Sequence, residues 1–256
     1  MQLLNKQASK TLIDKIYGLY KRVDLTFDSI LDSGMCQIYA NNALSPDVFV
    51  IKNGIFCLLG GNSAHQDAGR IIKVLSTNSI LLPGPQQWLD KLQASRHIEL
   101  ESLTRYSMSH QSLCIEELNQ WIAKSGANTT IFAIDESYAR AISKSEQFGY
   151  HLQNFSSAEN FLARGIGFVA CINKQIVAVA SSALVCNKGI EINIMVDEKH
   201  RGKGIATSLG ATLVKTCLTA KVIPHWDAGN EASLRLAQKL GYTRRESYIA
   251  YRIKTG

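Results

Sequence analysis

Apolar and polar residues alternate at every second position through residues 190–196. Ile190, Ile192, Ile194 and Val196 take one side, and Glu191, Asn193 and Met195 the other. That period of two predicts a half-buried strand. The spacing changes at residue 205, where Leu209 and Leu213 stand one turn apart in an amphipathic run that predicts a helix over 205–218. Between the two lies a basic, glycine-rich turn, 201–206. A turn of this kind ahead of a helix offers N–H groups and the positive end of a helix dipole, which together suit a phosphate.

The same patterning divides the rest of the chain. A helix capped by Ser9 runs to about residue 23, and a shorter one covers 26–31. Two apolar stretches flank Asn53-Gly54, a strong hairpin signal within 48–59. Helical spacing over 67–75, a short strand at 79–82 and a helix opened by Pro85 follow. In this half Asp47, His65, Asp67 and Arg70 are polar residues near turns and make no catalytic constellation.

The second half begins with a strand at 98–109, a helix at 113–123 and a strand at 129–134. Asp135 caps the next helix, and Ser156 to Glu159 has the capping-box pattern that starts a short one. Strands at 167–172 and 175–180, joined by Asn173-Lys174, lead into 190–196, so an antiparallel meander delivers the chain to the glycine-rich turn. Beyond the helix come a short strand, 221–225, a helix capped by Asn230 and stopped by Gly241, and a closing strand or pair of strands from 242 to 253.

Composition narrows the function. The 256 residues and 46% hydrophobic content supply a core for two domains or one large one. The net charge of +7 suits an anionic ligand, but it is not gathered into runs or interleaved with aromatics, so nucleic acid is not an expected partner. The six cysteines form no CxxC pair and read as buried thiols, and the histidines have no ligand spacing with them, so no metal is expected. The first ten residues lack the apolar core of a signal peptide, and no apolar run approaches the roughly 20 residues of a membrane span. A cytoplasmic protein without a membrane partner is the expectation.

Gly202, Gly204 and Thr207 imitate a dinucleotide fingerprint, with Asp227 downstream. Residues 197–201 separate that loop from its strand, however, and the preceding strands are not βαβ units. The better match is R-x-x-G-x-A, carried by Arg201, Gly204 and Ala206, which resembles the pyrophosphate loop of the GNAT acyltransferases. A second landmark, Asn230 with Ser233, Lys239, Gly241 and Tyr242, resembles that superfamily's N-x-x-(A/S)…K-x-G-(F/Y) segment. Together with Phe161, Gly165, Glu191, His200 and the Trp226-Asp227-Ala-Gly-Asn230 run, the chain is similar to the zwittermicin A resistance type of GNAT acetyltransferase.

This resemblance implies an α/β (α+β) fold with a mixed, mainly antiparallel central sheet. A smaller N-terminal α/β domain (1–96, or to about 125) would precede a GNAT domain over 97–256. It implies acetyl-CoA as co-substrate, no metal, and acetyl transfer to a primary amine, that of a small molecule. Protein or peptide N-acetylation and a non-catalytic CoA-binding sensor are the alternatives. A homodimer is compatible with it. Gly202, Lys203, Gly204, Ile205 and Ala206, with Arg201, would hold the pyrophosphate. Ile194, Met195 and Val196 would pair with the pantetheine arm, the N–H near Met195 would meet the thioester oxyanion, and Asn230 and Ser233 would complete the cofactor site. Glu191 is the candidate general base, with Asn193, Trp226 and Asp227 as weaker substrate contacts. Family members often carry a tyrosine acid seven residues after the asparagine. Here that residue is Ala237, leaving Tyr242, Tyr248, Ser233 or an unaided thiolate.

Overall fold

The computed structural model describes residues 2–4, 12, 35–124 and 128–255. The helices expected at 9–23 and 26–31 lie outside them, except that Leu12 is helical and wholly buried. Strands β1 (Gln2–Leu4), β2 (Gln37–Ala40), β3 (Val48–Asn53) and β4 (Phe56–Gly61) precede helix α1 (Ala68–Ile72), β5 (Ile80–Leu81), α2 (Gln86–Gln93) and β6 (Ile98–Ser109). Then come α3 (Ile115–Ala123), β7 (Thr130–Ala133), α4 (Glu136–Ser143), α5 (Ala158–Arg164), β8 (Gly167–Ile172), β9 (Gln175–Val185) and β10 (Gly189–Val196). Helix α6 (Ile205–Thr219), β11 (Ile223–His225), β12 (Asp227–Ala228), α7 (Glu231–Lys239) and β13 (Thr243–Thr255) complete the order. The chain divides into two compact units, Met1–Arg105 with Tyr248–Gly256, and Tyr106–Ser247.

In the first unit the strand order is β1-β2-β3-β4-β5-β13-β6. The β3–β4 hairpin turns through Gly54 at φ 57° and Ile55, with Asn53 paired to Phe56, so the loop sits one residue later than the Asn-Gly pair alone suggests. Val48, Val50, Leu59, Ile71, Trp88 and Ile253 form one buried cluster, and Leu12 joins Phe49, Ile51 and Leu58 in another. Asp47, His65, Asp67 and Arg70 lie in a row of polar side chains, in which Arg70 pairs with Asp67 at 3.1 Å.

The second unit holds a five-stranded sheet of order β11-β10-β9-β8-β7. The run from β8 to β10 is the expected antiparallel meander, β7 extends it antiparallel to β8, and in this sheet of described residues β11 pairs in parallel with β10. Asn173 and Lys174, at φ 49° and 64°, turn β8 into β9. Asp135 and Ser157 cap α4 and α5 by accepting the N–H groups of Tyr138 and Asn160. The cap of α5 is therefore Ser157, one residue beyond the Ser156 that opens the capping-box pattern. Helix α6 is less amphipathic than its spacing suggests, because Thr207, Ser208, Gly210 and Ala211 are buried as well as the stripe of Ile205, Leu209, Leu213 and Cys217. Gly210 lets it approach the sheet: a β-carbon there would stand 3.0 Å from Ile194 and 3.1 Å from Leu240. No described helix is long and apolar enough to cross a membrane.

Candidate functional site

The site begins where two parallel strands part. β10 and β11 are in register for only three pairs, Gly189 with Ile223, Ile190 with Pro224 and Glu191 with His225. Beyond Glu191, β10 continues to Val196 against β9 alone. The chain after β11 instead turns to β6, where Asp227 pairs with Ser107 and Ala228 with Tyr106. One edge of residues 192–196 thus has no strand partner among the described residues. An unpaired edge of this kind is a row of backbone donors and acceptors that an extended ligand can join.

A carboxylate sits at the parting point. Glu191 Oε2 is hydrogen bonded to His225 Nδ1, and Glu191 Oε1 accepts the backbone N–H of Asp227 at 3.0 Å. Only 12% of the Glu191 side chain and 8% of that of His225 are exposed, so the pair is shielded on both sides. A buried carboxylate needs such partners, since an unpaired charge there costs several kcal/mol or more. The sequence pointed to Glu191 but not to His225, because a parallel register cannot be read from one strand's own pattern. His110 lies near His225, and Arg245 near His110. Burial, then the charges of His225 and Arg245, hold the His110 imidazole below its usual range.

Asn193 faces away from Ile194, which points at α6. Its side chain is hydrogen bonded to Tyr150, and directly opposite it on β9 stands Ser181, whose Oγ lies 2.8 Å from His151 Nδ1. The Tyr150 ring lies over that of His151, with centroids 4.5 Å apart. Burial pushes the Tyr150 phenol up to about 12 and the His151 imidazole down to about 3. Both are neutral at pH 7. Sequence patterning missed Tyr150 and His151, which sit in a single 3-10 turn, Gly149–His151, too short to show a period.

The glycine-rich turn follows β10. Asp197 organises its start by accepting from Gln147 Nε2 at 3.1 Å and Lys199 N at 3.0 Å, and it meets His200 Nδ1 at 3.0 Å. Arg201 pairs with Glu198 at 3.1 Å and its Nε donates to Val196 O at 3.4 Å. Lys203 Nζ reaches Lys199 O at 3.0 Å. Gly202 and Gly204 have φ of 76° and 80°, where a side chain is strained, and nothing lies within 4 Å of where a β-carbon would be. Gly204 caps α6 with no side chain, and the first turn of α6 holds no acid. The N–H groups of Ile205 and Ala206 therefore face the loop without a competing carboxylate from their own turn.

Farther along, Asn230 Oδ1 accepts Ser233 N at 2.9 Å, the cap expected of it, and Ser233 Oγ accepts from Trp226 Nε1 at 3.0 Å. Trp226 is buried and packs edge-on against Tyr242, with centroids 5.3 Å apart, so it belongs to the core. Tyr242 donates to Pro224 O at 2.7 Å and is itself buried, which commits that phenol to the backbone. Tyr248 accepts from Arg105 Nε at 3.2 Å. Ala237 is wholly buried. Among the described residues no group of His, Cys, Asp or Glu has the makings of a metal site.

The model of the GNAT acetyltransferase family matches residues 19–251. The chain is 26% identical over 267 aligned positions to a Bacillus subtilis (strain 168) protein named uncharacterized N-acetyltransferase YdfB, covering 98% of this chain and 97% of that one. Among solved structures, a GCN5-related N-acetyltransferase-like protein from Streptococcus suis 89/1591 superposes with a TM-score of 0.83 at 28% identity, over 94% of this chain and 98% of that one. A GCN5-related N-acetyltransferase from Kribbella flavida shares the fold, with a TM-score of 0.52 at 14% identity over 82% and 88% of the two chains.

Proposed function

This chain belongs to the GNAT acetyltransferase family and is an acyltransferase, and from that premise we propose that it moves the acetyl group of acetyl-CoA onto the primary amine of a small molecule by direct attack on the thioester. The observation that carries the proposal is the parting of β10 from β11 at Glu191 and His225, directly upstream of an acid-free helix start. The residues present fit acetyl-CoA. Arg201, Gly202, Lys203, Gly204, Ile205 and Ala206 hold its pyrophosphate, on N–H groups that two glycines leave open. Residues 194–196 offer their unpaired edge to the pantetheine arm, and the N–H near Met195 stabilises the oxyanion. Asn230 and Ser233 border the same arm.

The nucleophile is the amine nitrogen, which attacks only when unprotonated. Glu191 supplies the negative charge that draws the proton away, and Asn193 and Asp227 orient the acceptor. Trp226 supports this wall from the core. Tyr242, committed to Pro224 O, does not replace the tyrosine absent at Ala237, and in this proposal the thiolate leaves unaided. In the same proposal residues 97–256 carry the transfer and residues 1–96 form a smaller α/β domain.

Calorimetry with acetyl-CoA tests the cofactor, and thiol release across panels of small amines and of peptides tests the acceptor. Saturable binding with turnover on small amines is expected. Absence of binding at millimolar acetyl-CoA overturns the proposal, and turnover on peptides alone overturns its acceptor.

A further inference from the structure

Tyr150 stands at the open edge of β10 and is within reach of solvent. Asn193 lies in the stretch of β10 that has no strand partner on one side among the described residues. Alternation along the strand puts its side chain on the face that carries Glu191, and that side chain is hydrogen bonded to the Tyr150 phenol. The bond works against the upward push of burial and so favours the phenolate. The phenol oxygen is therefore the acceptor in it and the Asn193 amide the donor. Two groups are left over: the phenol O–H and Asn193 Oδ1 have no hydrogen-bond partner among the described residues. Tyr150 is 37% exposed and Asn193 half-buried, so a ligand can reach the pair. Both are braced from one side. The Tyr150 ring lies over that of His151, and His151 Nδ1 meets Ser181 Oγ, directly opposite Asn193 on β9. We propose that Tyr150 and Asn193 bind a hydroxyl group carried near the reacting amine, the phenol donating to it and Asn193 Oδ1 accepting from it, so that the acceptor is a hydroxyl-bearing amine.

This assignment rests on the acetyl-transfer proposal and deepens it by naming the substrate class. A hydroxyl is the group whose single oxygen both accepts and donates, so it uses the phenol O–H and the amide oxygen together. An alkyl group in the same place leaves both unpaired, which weakens binding. A carboxylate offers no proton to Asn193 Oδ1 and meets the Glu191 charge on the same face of the strand. Recognition of this kind discriminates through groups the wrong ligand leaves unsatisfied. Tyr150 and Asn193 act on the acceptor alone in this assignment, and the pyrophosphate turn at 201–206 is untouched by them.

Thiol release by the full chain at saturating acetyl-CoA tests this. The amines are ethanolamine, propylamine, glycine and glycinamide, which differ in the group beside a common aminomethyl carbon, with 2-aminocyclohexanol and cyclohexylamine as a larger pair. Rates are compared at equal concentrations of unprotonated amine. The hydroxyl-bearing member of each set is expected to have the highest kcat/KM. Tyr150→Phe is expected to lower the ratio of kcat/KM for the hydroxyl-bearing amine to that for its alkyl counterpart by about 10-fold, mainly through the KM for the amine, with acetyl-CoA affinity by calorimetry unchanged. Asn193→Ala is expected to act in the same direction. The double variant should lose little beyond the larger single loss, because both side chains serve one hydroxyl. Equal losses on both members of a pair in Tyr150→Phe would mean that the phenol only packs over His151, and would overturn the proposal. So would a parent preference for the alkylamines, glycine or glycinamide, or no turnover of either hydroxyl-bearing amine while acetyl-CoA binds. Each of these results removes the hydroxyl subsite alone, whereas failure to bind acetyl-CoA removes the acetyl-transfer proposal with it.

Discussion

At the scale of single residues, the buried histidines separate what a sequence displays from what it conceals. Glu191 takes a polar position in the alternation of residues 190–196, and it is the resemblance to the GNAT family that singles it out as a candidate. Its partner was not legible, because the pairing of Glu191 with His225 depends on a parallel register between distant segments. His151 was hidden for a different reason: its turn is short, and only the fold brings it onto Ser181. It carries a stability prediction of its own. Burial holds His151 neutral down to about pH 3, and its Nε2 has no hydrogen-bond partner among the described residues. The unfolded chain takes up that proton below about pH 6.5. The folded-state pKa is therefore the lower one, and stability is lost as pH falls from about 6.5 toward about 3 and is level above that window. One such group contributes a slope of about 1.4 kcal/mol per pH unit. Denaturant titrations at several pH values are expected to show that slope reduced by one proton in His151→Asn, whatever the variant does to stability at pH 8. An unchanged slope would mean that His151 is protonated in the folded chain.

At the scale of elements, the second unit was largely readable. Strands β7, β8 and β10 and helices α3, α4 and α7 fall within a residue or two of the runs that predict them, and α4 and α7 have the caps expected of Asp135 and Asn230. Element β2 was not readable, because Gln37-Ile-Tyr-Ala is too short to show alternation. Helix α6 was readable in position but not in environment: spacing cannot distinguish a helix covered on one side from one covered on most of its circumference. The start of α6 gives a prediction in which stability and binding separate. Gly204 has φ of 80° with open space around it, so the backbone and not crowding demands glycine. Gly204→Ala is expected to cost about 1–2 kcal/mol of stability. Asparagine visits this conformation more readily, so Gly204→Asn is expected to cost less while its side chain fills the space before the helix N–H groups. Thermal unfolding and acetyl-CoA calorimetry on both variants check this. Gly204→Asn should be the more stable of the two and still bind more weakly than the parent. Parent-like affinity in Gly204→Asn would move the pyrophosphate away from this turn.

At the scale of the whole molecule, the chain does not finish one unit before it begins the other. Residues 248–256 belong with residues 1–105, so the first unit is completed by a strand that follows the whole of the second. Nothing in the local pattern of β13 announces its partners. The sequence predicts a closing strand or pair of strands over 242–253, but pairing of Tyr251 with Leu81 and Arg252 with Ile80 joins segments far apart in the chain. The link is a core contact as well as a sheet contact. Ile253 is fully buried in the cluster with Val48, Val50, Leu59 and Trp88, its N–H donates to Ser79 O at 2.8 Å, and its carbonyl accepts Asn78 N at 2.8 Å. Replacing it by alanine keeps the backbone bonds and removes most of the side chain, which at a packed site costs about 2–5 kcal/mol. If β13 completes the first unit, Ile253→Ala should raise proteolytic cleavage and amide exchange within residues 35–105 far more than in the meander of β7 to β10. Pulsed hydrogen exchange read by mass spectrometry resolves the two regions in one experiment. Equal acceleration in both would show that they unfold as one cooperative unit. Acceleration confined to 35–105 would make this C-terminal strand the element on which the first unit's stability depends.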